Sequence, residues 1–268
     1  MKRAFLYVDI LGFAKLVQTN PGKIDQIFEI VNSLNVFRHE ALQTLVFSDT
    51  LLVFNKNESW PLHYYCTFLV EYAQQLFYRL NLIGVYFKGI LTFGEFNYTK
   101  LSNIDAYYGN ALITAYHEEE LIEGFGLFLD PVLRSEIVIF DYVPYHEKYD
   151  FIILCQSLKN LYDYTNGQLP IELNILTDTD EFHRLDEDMS FLREVDYLRQ
   201  HHPTARISAK YDKVYQTYKA IMPEFFAAFE AEGGIMPFRI HPEYIGSINP
   251  FQLIAESELN PNSDQRDI

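Results

Sequence analysis

Residues 4–10 (AFLYVDI) are apolar without alternation except for a single acid, Asp9, and Gly12 closes the run. A continuous apolar segment of that length bounded by a glycine describes a strand buried on both faces. Such a strand needs a covering layer above and below it, which points to a sheet flanked by helices. The first thirteen residues (MKRAFLYVDILGF) superficially mimic a secretory leader. The acid inside the apolar stretch and the lack of a small-residue cleavage site favour the buried strand.

The following segments alternate in kind. Residues 23–36 place Ile24, Ile27, Phe28 and Val31 on one face of a helix. ALQTLVFSDTLLVFNKN has two β-rich arms around Ser48-Asp49-Thr50, the pattern of a hairpin. Residues 61–82 read as a long, well-buried helix with Pro61 in its first turn. VYFKGILTFGEF is a strand, YYGNALITAYHEEELIEG a loop entering a helix, and GFGLFLDP another strand. The order strand, helix, hairpin, helix, strand, helix, strand gives the expected fold class: α/β (α+β), a mixed and mostly antiparallel sheet with flanking helices. Beyond about residue 150 the pattern weakens. FIILCQSLK suits strand or helix, whereas 186–202 and 207–234 have helical spacing, the latter stopped by Gly233-Gly234. With no repeat or linker, one domain over 1–255 is expected, made of a core (1–145) and a C-terminal helical extension (146–255), with a polar tail at 256–268.

Charge and composition narrow the chemistry. A net charge of −16 repels nucleic-acid backbones and anionic membrane surfaces, but a nucleotide accompanied by a metal ion remains acceptable. No segment approaches the apolar length of a membrane span, so a cytoplasmic protein is expected. Cys66 and Cys155 lack ligand spacing and read as inert core thiols. The 20 Tyr and 22 Phe are spread along the chain, as packing residues are. The 12 glycines include neither a P-loop nor a GxGxxG motif. Ser48 has no base nearby, the 118–120 Glu triplet reads as a solvated helix face, and His201-His202 as an exposed turn.

Two acids stand apart. Asp9 interrupts a buried strand, and Asp49 sits at the tip of an apolar hairpin. A carboxylate in such a place needs a donor, a cation or a metal. Each could cap a turn; together at adjacent strand ends they would form an oxygen-rich site for Mg²⁺ or Mn²⁺.

FLYVDILGF resembles the first metal-binding segment of class III adenylate and guanylate cyclases, and LVFSDTLLVF resembles the hairpin carrying that family's second metal Asp. The two acids are 40 residues apart (49 − 9), close to the family's spacing. KGILTFGEF (88–96) and YYGNALITA (107–115) resemble the next strand and the loop–helix after it, so the likeness covers residues 4–130. Phe47-Ser48-Asp49, Tyr108-Gly109-Asn110-Ala111-Leu112 and Ala115-Tyr116 are most similar to bacterial pyrimidine cyclases of the Pycsar antiphage type, and AKYDKVYQTY (209–218) resembles a late helix of such proteins.

The resemblance implies a palm-like (ferredoxin-like) core and closure of a nucleoside triphosphate on its own 3′-hydroxyl with release of pyrophosphate. It implies two Mg²⁺ or Mn²⁺ ions on Asp9, Asp49 and the Ile10 carbonyl. The amides of Leu11, Gly12 and Phe13 would face the phosphates. Gly109 and Asn110 would contact substrate, and residues 109–117 would act on the metals of a second copy in a homodimer with shared sites. The chain also departs from the family. Where purine cyclases carry an Asn and an Arg after the loop glycine, Ile113 and His117 stand, and the base-reading positions hold Leu45 and Ala106. Replacements for the missing groups are sought in His117, Lys88 and Lys210. The expected function is therefore a pyrimidine nucleotide cyclase in antiphage signalling. The alternative is a cyclase-homology module without turnover, for nucleotide binding or protein interaction. A polymerase-like palm domain with other chemistry would share the two acids, but it is disfavoured by the missing Gly-Gly-Asp signature of diguanylate cyclases and by the acidic surface.

Overall fold

The computed structural model describes residues 1–34, 39–167, 171–172, 184–234 and 238–239. The first strand, β1 (Lys2–Ile10), is buried from residue 3 through 8 and again at Ile10, as a strand covered on both faces must be. Gly12, at φ 74, turns the chain into a short helix, α1 (Phe13–Thr19). This helix escaped the sequence reading because seven residues hold too little periodicity. The chain continues through α2 (Pro21–Ser33). On α2, Ile27 and Val31 are buried while Phe28 faces partly outward; the expected continuation to residue 36 lies outside the described residues.

The hairpin is β2 (Leu42–Phe47) and β3 (Thr50–Asn55). Next comes α3 (Leu62–Asn81), on which Pro61 is the N-cap and not a first-turn residue. β4 (Phe87–Glu95) is followed by a second hairpin, β5 (Asn97–Lys100) and β6 (Asp105–Tyr108). Its arms are only four residues each, too short to carry an alternating pattern to read. Then follow α4 (Asn110–Leu121), β7 (Gly126–Leu129), a 3-10 turn at Pro131–Glu136, β8 (Tyr142–Pro144) and β9 (Asp150–Ile152). FIILCQSLK proves to be both of its readings, the end of β9 and the start of α5 (Gln156–Tyr164). A two-residue parallel pairing joins β10 (Ile171–Glu172) to β11 (Phe238–Arg239).

The remaining described chain is α6 (Leu185–His201), α7 (Ala205–Ile221) and α8 (Pro223–Ala231). The single helix expected over 207–234 is broken at Met222, because Pro223 cannot donate the next helical hydrogen bond. The tail at 256–268 lies outside the described residues.

Seven strands form one sheet in the order β2-β3-β1-β4-β7-β9-β8, and every neighbouring pair is antiparallel except β4 with β7. The expected mixed, mostly antiparallel sheet with flanking helices is therefore what the chain forms. The sheet runs on to Ile152.

Directly opposed residues of antiparallel strands share a face. Arg3↔Gly94 and Asp9↔Lys88 thus lie on one side of the sheet. α4 crosses that side, with Ala111 set against Gly94, where a side chain at 94 would come within 3.3 Å of it. Gly109 makes this approach feasible, since a Cβ there would sit 2.1 Å from the Glu95 carbonyl oxygen.

The extension docks through aromatic side chains at the end of the sheet where β4 begins. Phe191 of α6 meets Phe77 with centroids 4.7 Å apart, Tyr211 of α7 meets Phe125 at 5.2 Å, and Tyr86 lies 4.9 Å from Phe125. Asp188 of α6 accepts hydrogen bonds from the Tyr78 hydroxyl at 2.7 Å and the Leu158 amide at 2.9 Å. Sheet and extension share one continuous hydrophobic core from Ala4 to Phe229.

Candidate active site

The two-residue turn Ser48-Asp49 closes the β2–β3 hairpin, with Ser48 at φ 58. The pairing of Asp9 with Thr50 fixes the turn beside the end of β1, and the Ile10 amide donates to the Asp49 carbonyl oxygen at 3.0 Å. Register thus brings the two acids together, although 40 residues separate them in sequence. Among the described residues neither carboxylate has a hydrogen bond or an ion pair.

Asp9 is partly buried, and its pKa is pushed up to about 7. Loss of solvent is the main cause, followed by the charges of Glu119 and Asp49; Lys88 and Lys210 pull the other way. Lys88, opposite Asp9 on β4, is buried and committed. Its Nζ donates to the Glu119 carbonyl oxygen at 2.6 Å and pairs with the Glu119 carboxylate at 2.8 Å.

The Glu triplet at 118–120 is therefore not a uniform solvated face. Glu118 pairs with Lys148, and Glu119 turns inward to Lys88. Glu119 was missed by the sequence reading, although the four-residue spacing of the buried Ala111 and Ala115 continues to it.

The other expected site residues are distributed unevenly. The Leu11 amide already donates to the Tyr86 carbonyl oxygen at 2.9 Å, which removes it from any phosphate-facing set; the chain is still completing the sheet edge there. The amides of Gly12 and Phe13 donate to no group among the described residues. A Cβ at Gly12 would meet no protein atom within 4 Å, and the turn after β1 needs the positive φ of 74 that glycine adopts without strain. Gly109 is occupied with packing on Glu95, and Asn110, the first residue of α4, is exposed. His117 lies with Ile113 and Tyr116 on the exposed side of α4 and edges the Tyr116 ring at 5.6 Å. Both cysteines are free and buried, and burial raises the pKa of each thiol.

The donor chemistry fits a hard divalent cation. Two unpartnered carboxylates converge, and the deeper one is destabilised as an anion by its surroundings, so a cation would relieve both burial and mutual repulsion. Among the described residues no cluster of three or more Asp, Glu, His or Cys side chains is arranged as a full ligand set. Protein side chains would thus supply only part of the coordination, as is usual for ions that also bind substrate phosphates. No helix among the described residues is long and apolar enough to cross a membrane.

No protein-family model and no curated protein matches the chain by sequence. Among solved structures, the adenylyl cyclase CyaB from P. aeruginosa is similar with a TM-score of 0.43 and 10% identity, over 57% of this chain and 93% of that one. The guanylate cyclase domain of RhGC from Catenaria anguillulae, a complex with GTP, has a TM-score of 0.43 and 10% identity over 56% and 93% of the two chains. An adenylate cyclase from Trypanosoma brucei in its monomeric state has a TM-score of 0.40 and 12% identity over 56% and 87%.

Proposed function

We propose that this chain is a metal-dependent nucleotide cyclase that converts a nucleoside triphosphate, a pyrimidine one, into its 3′,5′-cyclic monophosphate and pyrophosphate. The observation that carries the reading is the convergence of Asp9 and Asp49, both without a partner among the described residues, at the joined ends of β1 and the β2–β3 hairpin.

Asp9, Asp49 and the Ile10 carbonyl would hold two ions, Mg²⁺ or Mn²⁺. Bound there, the ions supply charge neutralisation for the triphosphate and lower the pKa of the 3′-hydroxyl. The Gly12 and Phe13 amides, at the turn after β1, are free to donate to phosphate oxygens. Lys88 holds Glu119 in place beside Asp9 and so keeps the local charge from becoming wholly negative. His117 and Asn110 stand on the outward side and at the start of α4, where they would act on the site of a second copy. Exposed apolar side chains near them, Ile113 and Tyr116, with Phe47 at 81% exposure on the hairpin, suit burial in such a homodimer.

The pyrimidine preference and a role in antiphage signalling rest on the resemblance of the Phe47-Ser48-Asp49 and Tyr108–Leu112 segments, and on the absence of the usual purine-reading residues at Leu45 and Ala106. Incubation with each of the four triphosphates and Mn²⁺ tests the reading. One cyclic pyrimidine product with pyrophosphate, lost in Asp9→Ala, is expected. Silence with all four would overturn it, and a cyclic purine product would overturn the base assignment. Light scattering that finds only monomer at working concentrations would remove the shared-site arrangement.

A further inference from the structure

A cavity of about 400 Å³, bordered by α3 and α5, shares no residue with the acid pair. Its size lies within the range of small-molecule sites. α3 gives it Glu71, Gln74, Gln75 and Tyr78, and α5 gives it Gln156 and Asn160. Positions 71, 74, 75 and 78 are spaced i, i+3, i+4, i+7, so they form one stripe of the helix. Around that stripe α3 is packed into the core, with Tyr72, Ala73, Leu76 and Phe77 buried. The stripe of a helix that faces its neighbours is ordinarily apolar. Here it carries two amides and a carboxylate.

The hydrogen bonds around the cavity leave acceptors over. Gln74 Nε2 donates to the Leu154 carbonyl oxygen at 3.0 Å and to Gln156 Oε1 at 3.4 Å, and Gln156 Nε2 donates to the Ile139 carbonyl oxygen at 2.8 Å. The Tyr78 hydroxyl is committed to Asp188. Glu71, Gln75 and Asn160 have no hydrogen bond or ion pair among the described residues. Glu71 is half-buried, and burial alone raises its pKa. Arg184, the one cation among the lining residues, lies over the Tyr78 ring at 4.4 Å and pairs with Glu187 at 3.4 Å. The cavity therefore holds a negative charge with no counter-ion on it, and its free oxygens outnumber its free N–H donors. A ligand that matches it brings N–H groups and a positive charge. A metal ion alone does not fit, since a single carboxylate is a poor cage for a divalent cation and the volume is many times that of an ion.

We infer that this cavity binds a small molecule carrying a primary ammonium group, of the size of an amino acid or a short diamine. The ammonium would sit on the Glu71 carboxylate, with the Gln75 and Asn160 amide oxygens as its further acceptors. An ammonium has three N–H donors and no acceptor, so this set uses all of them. The ligand would bridge α3 and α5 beside Tyr78, whose hydroxyl ties α3 to α6 through Asp188. The inference goes beyond the cyclase reading and stands without it.

Calorimetric titration of the full chain with each of the twenty common amino acids, and separately with putrescine, tests the site. Saturable binding of one molecule per chain is expected, and acetylation of the bound compound's amino groups should abolish it. Glu71→Gln keeps the shape of the side chain, and an unchanged melting temperature shows that it folds. Its affinity should fall at least about tenfold, the scale of one charge-assisted hydrogen bond. Asn160→Ala should lose about three- to tenfold, the scale of a neutral hydrogen bond, and supplies a second measurement if the first variant does not fold. Glu29→Gln removes an exposed charge outside the cavity and should change affinity less than about twofold. Binding of an amino acid without putrescine assigns a zwitterion, and the converse assigns a diamine. Silence of every probe would leave the cavity to water and overturn the site. Full binding in Glu71→Gln, undiminished binding of the acetylated compound, or an equal loss in Glu29→Gln overturns it too. Asp9→Ala should bind the ligand as the wild type does, so failure of the cyclase reading and failure of this site are read apart.

Discussion

Asp9 in the sheet and Asp188 in the extension are both carboxylates pushed up to about 7, in each case mainly by burial. Their surroundings are opposite. Asp188 is enclosed by donors, with Tyr78 and Leu158 bonded to its two oxygens and the Cys155 thiol beside it. Among the described residues Asp9 has no donor, and the charges of Glu119 and Asp49 act on it. The same shift thus marks a closed structural node in one place and, in the other, the acid on which the proposed cation site rests. Partners, and not the displaced pKa, separate stability from function.

The comparison breaks first on substitution. Asp49→Ala should reduce cyclic product at least about 10³-fold, the scale of several kcal/mol of charge stabilisation, while urea melts show no loss of stability. Product formation at the wild-type rate would remove Asp49 from the metal site. Asp188→Ala should do the opposite. It orphans buried donors and should cost about 2–4 kcal/mol in urea unfolding, with turnover per folded molecule preserved.

Titration sharpens the contrast. For each acid the folded pKa lies above the unfolded value of about 3.9, so the ionised form is disfavoured in the fold. Stability is full below about pH 4 and falls as pH rises to about 7. Saturating Mg²⁺ should cancel the Asp9 part of this slope and leave the Asp188 part, which Asp188→Asn in turn should flatten. A slope wholly removed by Mg²⁺ would contradict the assignment of Asp188.

Two glycines give the smaller effects. Gly109→Ala drives a Cβ into the Glu95 carbonyl oxygen and should destabilise by about 3 kcal/mol. Gly12→Ala meets only the left-handed backbone penalty and should cost about 1 kcal/mol by thermal melting.

The sequence made the sheet readable where side chains are apolar and periodic, as in β1, β4 and α3. It was mute where elements are short or polar, as in α1 and the β5–β6 hairpin, because few residues carry no periodicity. The acid pair was legible through the cost of an acid in an apolar setting. Glu119 was not, since a triplet of glutamates looks alike from outside, and only the stripe begun by Ala111 and Ala115 chooses among them.

What the amino-acid order determined alone is the long apolar strands and helices and the two acids that do not belong in them, because local burial and turn chemistry are written in neighbouring residues. What the tertiary structure decided is who stands beside whom. Strand register set Asp9 against Lys88 and Thr50. The docking of aromatic side chains brought Lys210, some 200 residues away in sequence, within electrostatic reach of Asp9. Charge interactions act through space and are scaled by local burial, so no reading along the chain could have assigned a partner, or the lack of one, to either acid.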